Sequence, residues 1–326
     1  MIFPQDARIL DMGNSYIIVS FLDSFEFPLR EATRKQVWWE AKNAKKQGKD
    51  VNIYIIDHDA ESVVKDGITI KFVSAKNLCK SNLRADEVNY LTGSVIPNLL
   101  SIVFVKSKKK ILTLTDGYMF GANKYWMRKT ISKILPIFFD EICIYSRYQK
   151  QLLGYGKIVS PHKPQLLIPD IPKSDYPSIL YMGHISKSKG FDAIIIALSR
   201  LLGENSSYEF VIANNMIEVS KEYMDKVQML IDKYPNQIMI KGIVNPLEEL
   251  KRSWVYIYPF IEARGTMAFP LSLYEAEQCG TPFIACDISS NSEFFDKKNL
   301  IEPNNAEQLY DRIKYFIHER ENSEHL

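Results

Sequence analysis

The first half of the chain alternates short apolar runs with longer segments of helical spacing. Runs rich in β-branched residues predict buried strands at 16–21, 51–56, 68–73, 111–115 and 141–146. Apolar residues at helical spacing predict helices at 31–47, 86–104, 124–138 and 147–153, with Pro97 as a break in the second. Strands that alternate with helices are typical of an α/β domain built on a parallel sheet.

The segment 158–178 interrupts this pattern, because it carries five prolines that neither a helix nor a central strand tolerates. The alternation then restarts, with strands predicted at 178–182, 208–213, 237–241, 255–258 and 282–286, and helices at 190–202, 218–233, around Glu275 and at 306–320. We therefore predict two Rossmann-like doubly wound α/β domains facing a cleft, 1–165 and 166–305. A C-terminal helix, 306–326, is expected to pack back toward the first domain. Ligands of such sheets bind outside the carboxyl ends of the strands, so the cleft is the expected site.

Composition narrows the class of protein. Hydrophobic residues make up 46% of the chain and charged residues 25%, as in soluble globular proteins. The four cysteines have no C-x-x-C spacing, which favours a reducing compartment without disulfides or structural zinc. No apolar run reaches the roughly 18 residues of a membrane span, and residues 1–14 lack the order of a signal peptide. We expect a cytoplasmic protein, and no grouping of residues indicates a hydrolase or a metal site.

Charge is distributed unevenly, although the net charge is only +2. Basic residues are in excess over 1–170 and acidic residues over 171–326, which suggests two domains with different partners. The basic residues cluster at 42–46, 106–110 and 124–129. These clusters are either solvated helix faces and turns, or a surface that docks on anionic lipid at about 1 kcal/mol per Lys or Arg. The second interpretation predicts a peripheral contact with the inner face of the membrane, and no nucleic-acid partner is expected.

Four segments of the second half resemble motifs that occur in a fixed order. Residues 181–192 (YMGHISKSKGFD) resemble G-R-x-x-x-x-K-G-x-D, and 255–260 (VYIYPF) resemble D-V-x-V-x-P-S, with Trp254 in place of the Asp. Residues 271–282 (LSLYEAEQCGTP) are similar to L-x-L-L-E-A-M-A-x-G-T-P, and 283–293 (FIACDISSNSE) to V-I-A-x-D-x-x-x-x-x-E. Through them the second half resembles the retaining glycosyltransferases of family 4, the glycosyl transferases group 1, which have the GT-B fold. The first half resembles them only in its pattern of strands and helices.

The resemblance implies roles for the loop that follows the first strand of the second half. The family's Arg and Lys neutralise the diphosphate of the donor, including the charge that develops on the leaving group. Here Lys189 holds the Lys position, His184 replaces the Arg, Lys187 could compensate, and Gly183 opens the loop. Histidine lacks the fork of a guanidinium, so phosphate binding should be weaker or sensitive to pH. The alternative is that Lys187 and Lys189 are solvated loop residues.

The resemblance also implies a nucleotide-binding helix that contains Glu275. Glu275 matches the second acid of a paired-Glu motif, whose carboxylate accepts hydrogen bonds from the ribose hydroxyls; the alternative is a structural ion pair. Met267 stands where the family has the first acid, and its side chain offers a sugar hydroxyl no useful acceptor. Backbone N–H groups at the start of this helix would meet phosphate, where a glycine permits close approach. The donor-binding positions are Gly265, Thr266, Met267, Phe269 and Leu271.

The first half offers fewer candidates. Asp116 follows a predicted strand and suits a cleft, although an Asp-Gly turn would explain it equally well. Thr115 replaces the histidine that the family has before this Asp, and the family's glycine pair after the first strand is missing.

The resemblance implies a retaining, metal-independent hexosyl- or related glycosyltransferase. It would move a sugar from a UDP- or GDP-linked donor to a hydroxyl of a glycan or lipid-linked acceptor, without another cofactor, in surface polysaccharide or glycolipid synthesis. The catalytic candidates are Lys189, His184 and Asp116. The alternatives are a non-catalytic GT-B protein that binds a nucleotide or a partner, and a nucleotide-sugar epimerase.

Overall fold

The computed structural model describes residues 15–20, 25, 32–80, 83–92, 105–116, 125–161, 163, 166–217, 219–263 and 266–324. The chain forms two compact units, Met1–His162 (the N-terminal unit) and Lys163–Leu326 (the C-terminal unit), which divide within the proline-rich segment. Each unit contains one largely parallel sheet with helices between its strands. The predicted α/β class with two doubly wound parallel sheets is therefore confirmed.

The N-terminal unit contains an eight-stranded sheet in the order β3-β4-β2-β1-β5-β6-β7-β8. Its strands are β1 (Ser15–Ser20), β2 (Asp50–Ile56), β3 (Ala60–Lys65), β4 (Ile68–Val73), β5 (Arg84–Thr92), β6 (Lys106–Leu114), β7 (Glu141–Ile144) and β8 (Lys157–Ile158). Its described helices are α1 (Ala32–Lys46), α2 (Ala75–Lys80), α3 (Tyr125–Phe138) and α4 (Arg147–Leu153). Neighbouring strands are parallel except for the exposed edge strand β3, which runs antiparallel to β4.

Two apolar cores cover the two faces of this sheet. On one face, α1 buries Val37, Trp38 and Ala41 among the aliphatic residues of β1, β2 and β4. On the other face, Leu135 of α3 and Leu153 of α4 pack with residues of β1, β5, β6 and β7. A parallel sheet needs such cover on both faces, because its strands are apolar on both sides.

The helix predicted over 86–104 is wrong where the structure describes it. Residues 86–92 belong to β5, which pairs with β1 on one side and β6 on the other. The polar residues of this segment are paired with neighbouring strands: Asp86 accepts hydrogen bonds from Ser15, and Asn89 bonds to Thr113 and to the Tyr16 hydroxyl. Residues 93–104 lie outside the described residues.

The basic cluster at 106–110 forms the first half of β6 rather than a helix face or a turn. Lys108 pairs with Asp86 of β5 at 2.7 Å, and Lys109 pairs with Glu141 of β7 at 2.9 Å. Lys157 reaches the same Glu141 carboxylate at 2.6 Å. The two lysines, Lys157 first, lower the pKa of Glu141 to about 2. Part of this positive charge is therefore balanced by acids on adjacent strands.

The C-terminal unit contains a six-stranded parallel sheet in the order β11-β10-β9-β12-β13-β14. Its strands are β9 (Ser178–Met182), β10 (Glu209–Ala213), β11 (Ile238–Ile240), β12 (Val255–Tyr258), β13 (Phe283–Cys286) and β14 (Leu300–Ile301). Its helices are α5 (Phe191–Glu204), α6 (Lys221–Lys233), α7 (Pro246–Arg252), α8 (Leu271–Gln278), α9 (Asn291–Phe294) and α10 (Ala306–Glu324). From β9 the chain moves outward through β10 and β11, then returns to β12 and moves the other way. The carboxyl ends of β9 and β12 therefore flank the point where ligands bind in such sheets.

Two helices of this unit can be compared with the predictions from the sequence. Helix α7 was not predicted, although Asn245 caps it by accepting from the Leu247 N–H and Pro246 occupies its first turn, as Asn-Pro favours. Helix α10 packs against α5, β12 and β13 within its own unit. Its return toward the N-terminal unit stays a prediction.

Candidate functional site

The loops that follow β9 and β12 are tied together at the switch point of the C-terminal sheet. The Ile261 N–H, after β12, donates to the Ser188 carbonyl oxygen in the β9–α5 loop at 3.1 Å. At the start of that loop, the Asn214 side chain donates to the Gly183 carbonyl oxygen at 2.8 Å. The Tyr181 hydroxyl donates to the His184 carbonyl oxygen at 2.6 Å. Three elements of the sheet thus fix the backbone of one loop.

Two glycines of this loop lie close against the segment that follows β12. At Gly190, φ is +72° and an added Cβ would lie 1.9 Å from the Pro259 carbonyl oxygen, at the end of β12. At Gly183, φ is +152° and a Cβ would lie 3.2 Å from the Phe260 ring. Only glycine meets both the dihedral angles and the close approach here. The glycines of the sequence motif are therefore explained by the contact between the two loops.

The structure brings the three predicted cationic residues onto this loop. Residues Lys187–Lys189 form a single 3₁₀ turn that ends at Gly190. The side chains of His184 and Lys187 are exposed, whereas Lys189 is half-buried. The Lys189 Nζ lies 4.1 Å from the centroid of the Phe260 ring. Lys189 therefore has the more closely defined surroundings of the two lysines.

The predicted donor-binding positions after β12 are held by internal hydrogen bonds. The Thr266 hydroxyl donates to the Ala263 carbonyl oxygen at 2.7 Å, and the Ser290 hydroxyl donates to that of Ala268. Phe269 and Leu271 are buried, so their backbone rather than their side chains would meet a ligand. Met267 is half-buried, and Gly265 lies outside the described residues.

Helix α8 presents its N-terminus at the end of this segment. Its N-cap residue is Pro270, which makes no side-chain capping bond. The first N–H groups of a helix lack partners within the helix, and the helix dipole favours an anion beside them. The start of α8 is therefore suited to phosphate.

Glu275 lies in the middle of α8 and is only 4% exposed. Burial raises the pKa of the Tyr256 hydroxyl on β12, and the nearby Glu275 carboxylate raises it further. Glu275 is therefore a buried acid beside the strand whose carboxyl end flanks the switch point.

Asp116 belongs to the N-terminal unit, directly after β6. Gln149 of α4 donates from Nε2 to the carbonyl oxygens of Leu114 and Asp116, both at 3.0 Å. Thr115, between them, is fully buried. The loops after β1 and β5, at the switch point of this sheet, lie outside the described residues apart from Phe25.

The described part of the chain contains neither a metal-binding cluster nor a membrane-spanning helix. No group of three or more His, Cys, Asp and Glu residues is arranged there to hold a metal ion. No helix there is long and apolar enough to cross a membrane.

The C-terminal half of the chain matches a known protein family. Residues 167–326 match the family model of the glycosyl transferases group 1. The match covers the C-terminal unit and does not extend into the N-terminal unit. Curated protein sequences gave no match to the chain.

Solved structures extend the likeness in fold to nearly the whole chain. A glycosyltransferase of Rickettsia africae is 18% identical, with 94% of this chain and 88% of that one covered and a TM-score of 0.65. HepE of Anabaena, crystallised with UDP-glucose, is 10% identical, with 94% and 90% covered and a TM-score of 0.71. Sucrose-phosphate synthase of Thermosynechococcus elongatus is 12% identical, with the same coverage and a TM-score of 0.67. These neighbours are GT-B proteins, so the predicted GT-B class is confirmed.

The sequence analysis did not identify the residues that hold the loops at the switch point in place. They are Tyr181, Asn214, Phe260 and Ser290. One signal was present: Tyr256, Tyr258 and Phe260 alternate along β12 and beyond it, as residues on one face of a strand do. Asn214 and Ser290 act through backbone atoms of loops distant in the sequence, and no local pattern marks such contacts.

Proposed function

We propose that the chain is a glycosyltransferase that takes its sugar from a nucleotide-sugar donor bound at the β9/β12 switch point. The observation that carries this proposal is the junction of the Lys189 loop with the segment leading to Glu275, made by the Ile261–Ser188 hydrogen bond. It lies in the half that matches the group 1 family. A cationic loop and a helix N-terminus suit the diphosphate of a nucleoside diphosphate, and a buried acid suits its ribose.

The diphosphate and the ribose of the donor each have matching groups in this proposal. Lys189, with His184 and Lys187, offsets the negative charge of the diphosphate as the bond to the sugar breaks. The N–H groups from Met267 to the start of α8 donate to the phosphate oxygens. The Glu275 carboxylate accepts hydrogen bonds from the two ribose hydroxyls, which suits an acceptor-only group.

The reaction exchanges one bond of the anomeric carbon for another. The bond to the diphosphate oxygen breaks, a bond to the acceptor hydroxyl oxygen forms, and the hydroxyl proton leaves to a base. We propose retention of the anomeric configuration without a metal, and a hexosyl unit carried on UDP or GDP. The UDP-glucose bound to HepE supports UDP.

The acceptor is assigned to the N-terminal unit. Asp116, at the carboxyl end of β6, is the candidate there for contact with the reacting groups. The basic residues of this unit would suit an anionic lipid-linked acceptor at the inner face of the membrane. The protein would then transfer sugar to a glycan or glycolipid acceptor in surface polysaccharide synthesis.

Calorimetric titration with UDP and GDP, followed by product analysis with UDP- and GDP-sugars, tests the proposal. Glu275→Gln should weaken nucleotide binding about tenfold, because hydrogen bonds to a charged acceptor are lost. The control is Glu277→Gln, an exposed site on the same helix, which should bind like the wild type. Hydrolysis of a donor without acceptor would support a transferase. Conversion of the donor to its epimer would instead show an epimerase, and wild-type protein that binds no nucleotide would contradict the proposal.

A further inference from the structure

Three aromatic side chains form a floor beneath the β9–α5 loop: Tyr181, Tyr258 and Phe260, called here the aromatic floor. The rings of Tyr258 and Phe260 stack with centroids 3.8 Å apart and an interplanar angle of 25°. The Tyr181 hydroxyl donates to the loop backbone at His184. All three rings are buried. The floor is therefore a fixed surface on which the loop lies.

Phe260 contacts the loop at both of its ends. At one end, its ring lies 3.2 Å from the position of a Cβ added at Gly183, which is a tight contact. At the other end, the Lys189 Nζ lies over the same ring at 4.1 Å from the centroid. The residues on either side of Phe260 add backbone contacts, since Pro259 abuts Gly190 and the Ile261 N–H donates to Ser188. One ring thus defines the start of the loop and the position of its half-buried cation.

We propose that Phe260 is a positioning residue for the diphosphate: it holds Lys189 in the orientation that meets phosphate before the donor arrives. The proposal rests on the proposed function. In the motif that the chain resembles, a serine stands at this position, and a serine has no ring to place under an ammonium group. A ring under the ammonium group attracts it through its negative face and so restricts where the group lies. The freedom that a lysine side chain loses on binding is then already lost in the free protein.

The histidine at position 184 makes the position of the Lys189 ammonium group more important for phosphate binding. With histidine in place of the family's arginine, the loop lacks a planar group that would grip phosphate by two parallel hydrogen bonds. Lysine is a flexible point charge, and its contribution depends on where its ammonium group is held. A rigid aromatic support for Lys189 offsets part of what the arginine would supply.

Phe260 is also a buried residue of the core, so its substitution could weaken ligand binding simply by disturbing the fold. The test therefore needs a measurement that a purely structural role would leave unchanged. UDP and uridine share the base and the ribose and differ in the diphosphate. Phe260→Leu keeps an apolar side chain and removes the ring, whereas Phe260→Tyr keeps the ring. If Phe260→Leu does not fold, Phe260→Met offers a second ring-free side chain of similar size.

Calorimetric titration of each variant with UDP and with uridine is the experiment, with GDP and guanosine in the same arms if the wild type prefers GDP. Phe260→Leu should weaken UDP binding about threefold to tenfold and leave uridine binding unchanged. Phe260→Tyr should bind UDP like the wild type. In a Lys189→Met background, Phe260→Leu should cause no further loss, because the ring then has no ammonium group to place.

Two results would overturn the positioning role. One is an equal loss of UDP and uridine affinity in Phe260→Leu; the other is a loss of UDP affinity that persists in the Lys189→Met background. Unchanged UDP binding by Phe260→Leu would overturn it as well. Wild-type protein that binds neither UDP nor GDP would instead contradict the proposed function.

Discussion

The two sheets share the same doubly wound topology but differ in what crosses their centres. In the C-terminal unit, β9 and β12 contribute buried aliphatic and aromatic side chains, and the polar contacts lie in the loops beyond the strand ends. In the N-terminal unit, a row of hydrogen bonds crosses the sheet itself. Thr113 of β6 donates to Asn89 of β5, Asn89 donates to the Tyr16 hydroxyl of β1, and Tyr16 donates to Glu40 of α1.

The two units therefore place their polar groups in different parts of the sheet. The row in the N-terminal unit links three strands and a helix at fixed positions, so it specifies the register of β5 between β1 and β6. The C-terminal unit sets its register by apolar packing and keeps polar groups at the carboxyl ends of the strands, where ligands of such sheets bind. The stability of the N-terminal sheet should therefore depend on every hydrogen-bond partner of the row being present. The stability of the C-terminal unit should depend on how closely its loops pack.

The largest effect is expected where the loops of the C-terminal unit pack most closely. Gly190→Ala would place a Cβ 1.9 Å from the Pro259 carbonyl oxygen and 2.9 Å from its carbon, both of which are backbone atoms at the end of β12. Relief requires β12 or the loop to move, so the free energy of unfolding should fall by about 3 kcal/mol or more. Urea denaturation measures this change.

Gly242→Ala is the matched control for this substitution. Gly242 also has a positive φ, +58°, but an added Cβ there would meet no atom within 4 Å. It should cost only the strain of a left-handed alanine, about 1 kcal/mol. Equal losses in the two variants would mean that φ alone, and not contact between the loops, makes Gly190 necessary.

The second effect tests the hydrogen-bonded row of the N-terminal unit. Asn89→Leu keeps the size of the side chain but leaves the Thr113 hydroxyl without its acceptor and Tyr16 without a donor. The free energy of unfolding should fall by about 2 kcal/mol, the cost of leaving buried polar groups unpaired. Chemical denaturation, with hydrogen exchange of peptides from β5 and β6, would locate the loss.

The next residue along β5 provides the control. The Tyr90 hydroxyl is buried and has no hydrogen-bond partner among the described residues, and burial raises its pKa. Tyr90→Phe therefore removes an unpaired polar group and should change the stability by less than about 0.5 kcal/mol or raise it. A loss as large as that of Asn89→Leu would show that β5 responds to any substitution and not to the row.

The same contrast explains what the sequence predicted. Strand β12 reads as VYIY and was predicted at its observed bounds, because a buried strand with apolar packing on both faces is visible as an apolar run. Strand β5 reads as RADEVNYLT and was predicted as part of a helix, because its polar residues are satisfied by strands distant in the sequence. Local periodicity contains no information about such partners.

The candidate site was predictable to a similar degree. The glycines and Lys189 follow from motifs that lie within one loop, and the structure places them together. The role of Phe260 does not follow from its own segment, since it depends on a loop that begins after β9. Contacts between loops at the ends of neighbouring strands arise only when the sheet has formed.

The last effect develops only at alkaline pH and concerns a polar group at the opposite end of the C-terminal sheet from the site. The Lys173 ammonium group donates to the Ser253 carbonyl oxygen at 2.6 Å and to the Thr281 hydroxyl at 2.7 Å. Burial, with repulsion from Arg320 and Lys251, lowers the pKa of Lys173 from 10.5 to about 8. Between those values the unfolded chain binds more protons than the folded one, so this lysine makes stability rise as the pH increases from about 8 to 10.5.

Lys173→Met removes that rise, and the difference in unfolding free energy between wild type and variant should therefore grow with pH across this window. Urea denaturation at several pH values, followed by the fluorescence of the nearby Trp254, measures it, and subtraction cancels the other groups that titrate. Lys298→Met, at an exposed position of the same unit, should track the wild type. If the difference for Lys173→Met were constant with pH, the hydrogen bonds of this lysine would hold it charged throughout. The C-terminal unit would then contain a buried polar cluster as firmly paired as the row across the N-terminal sheet, and the contrast between the two units would be confined to the centres of their sheets.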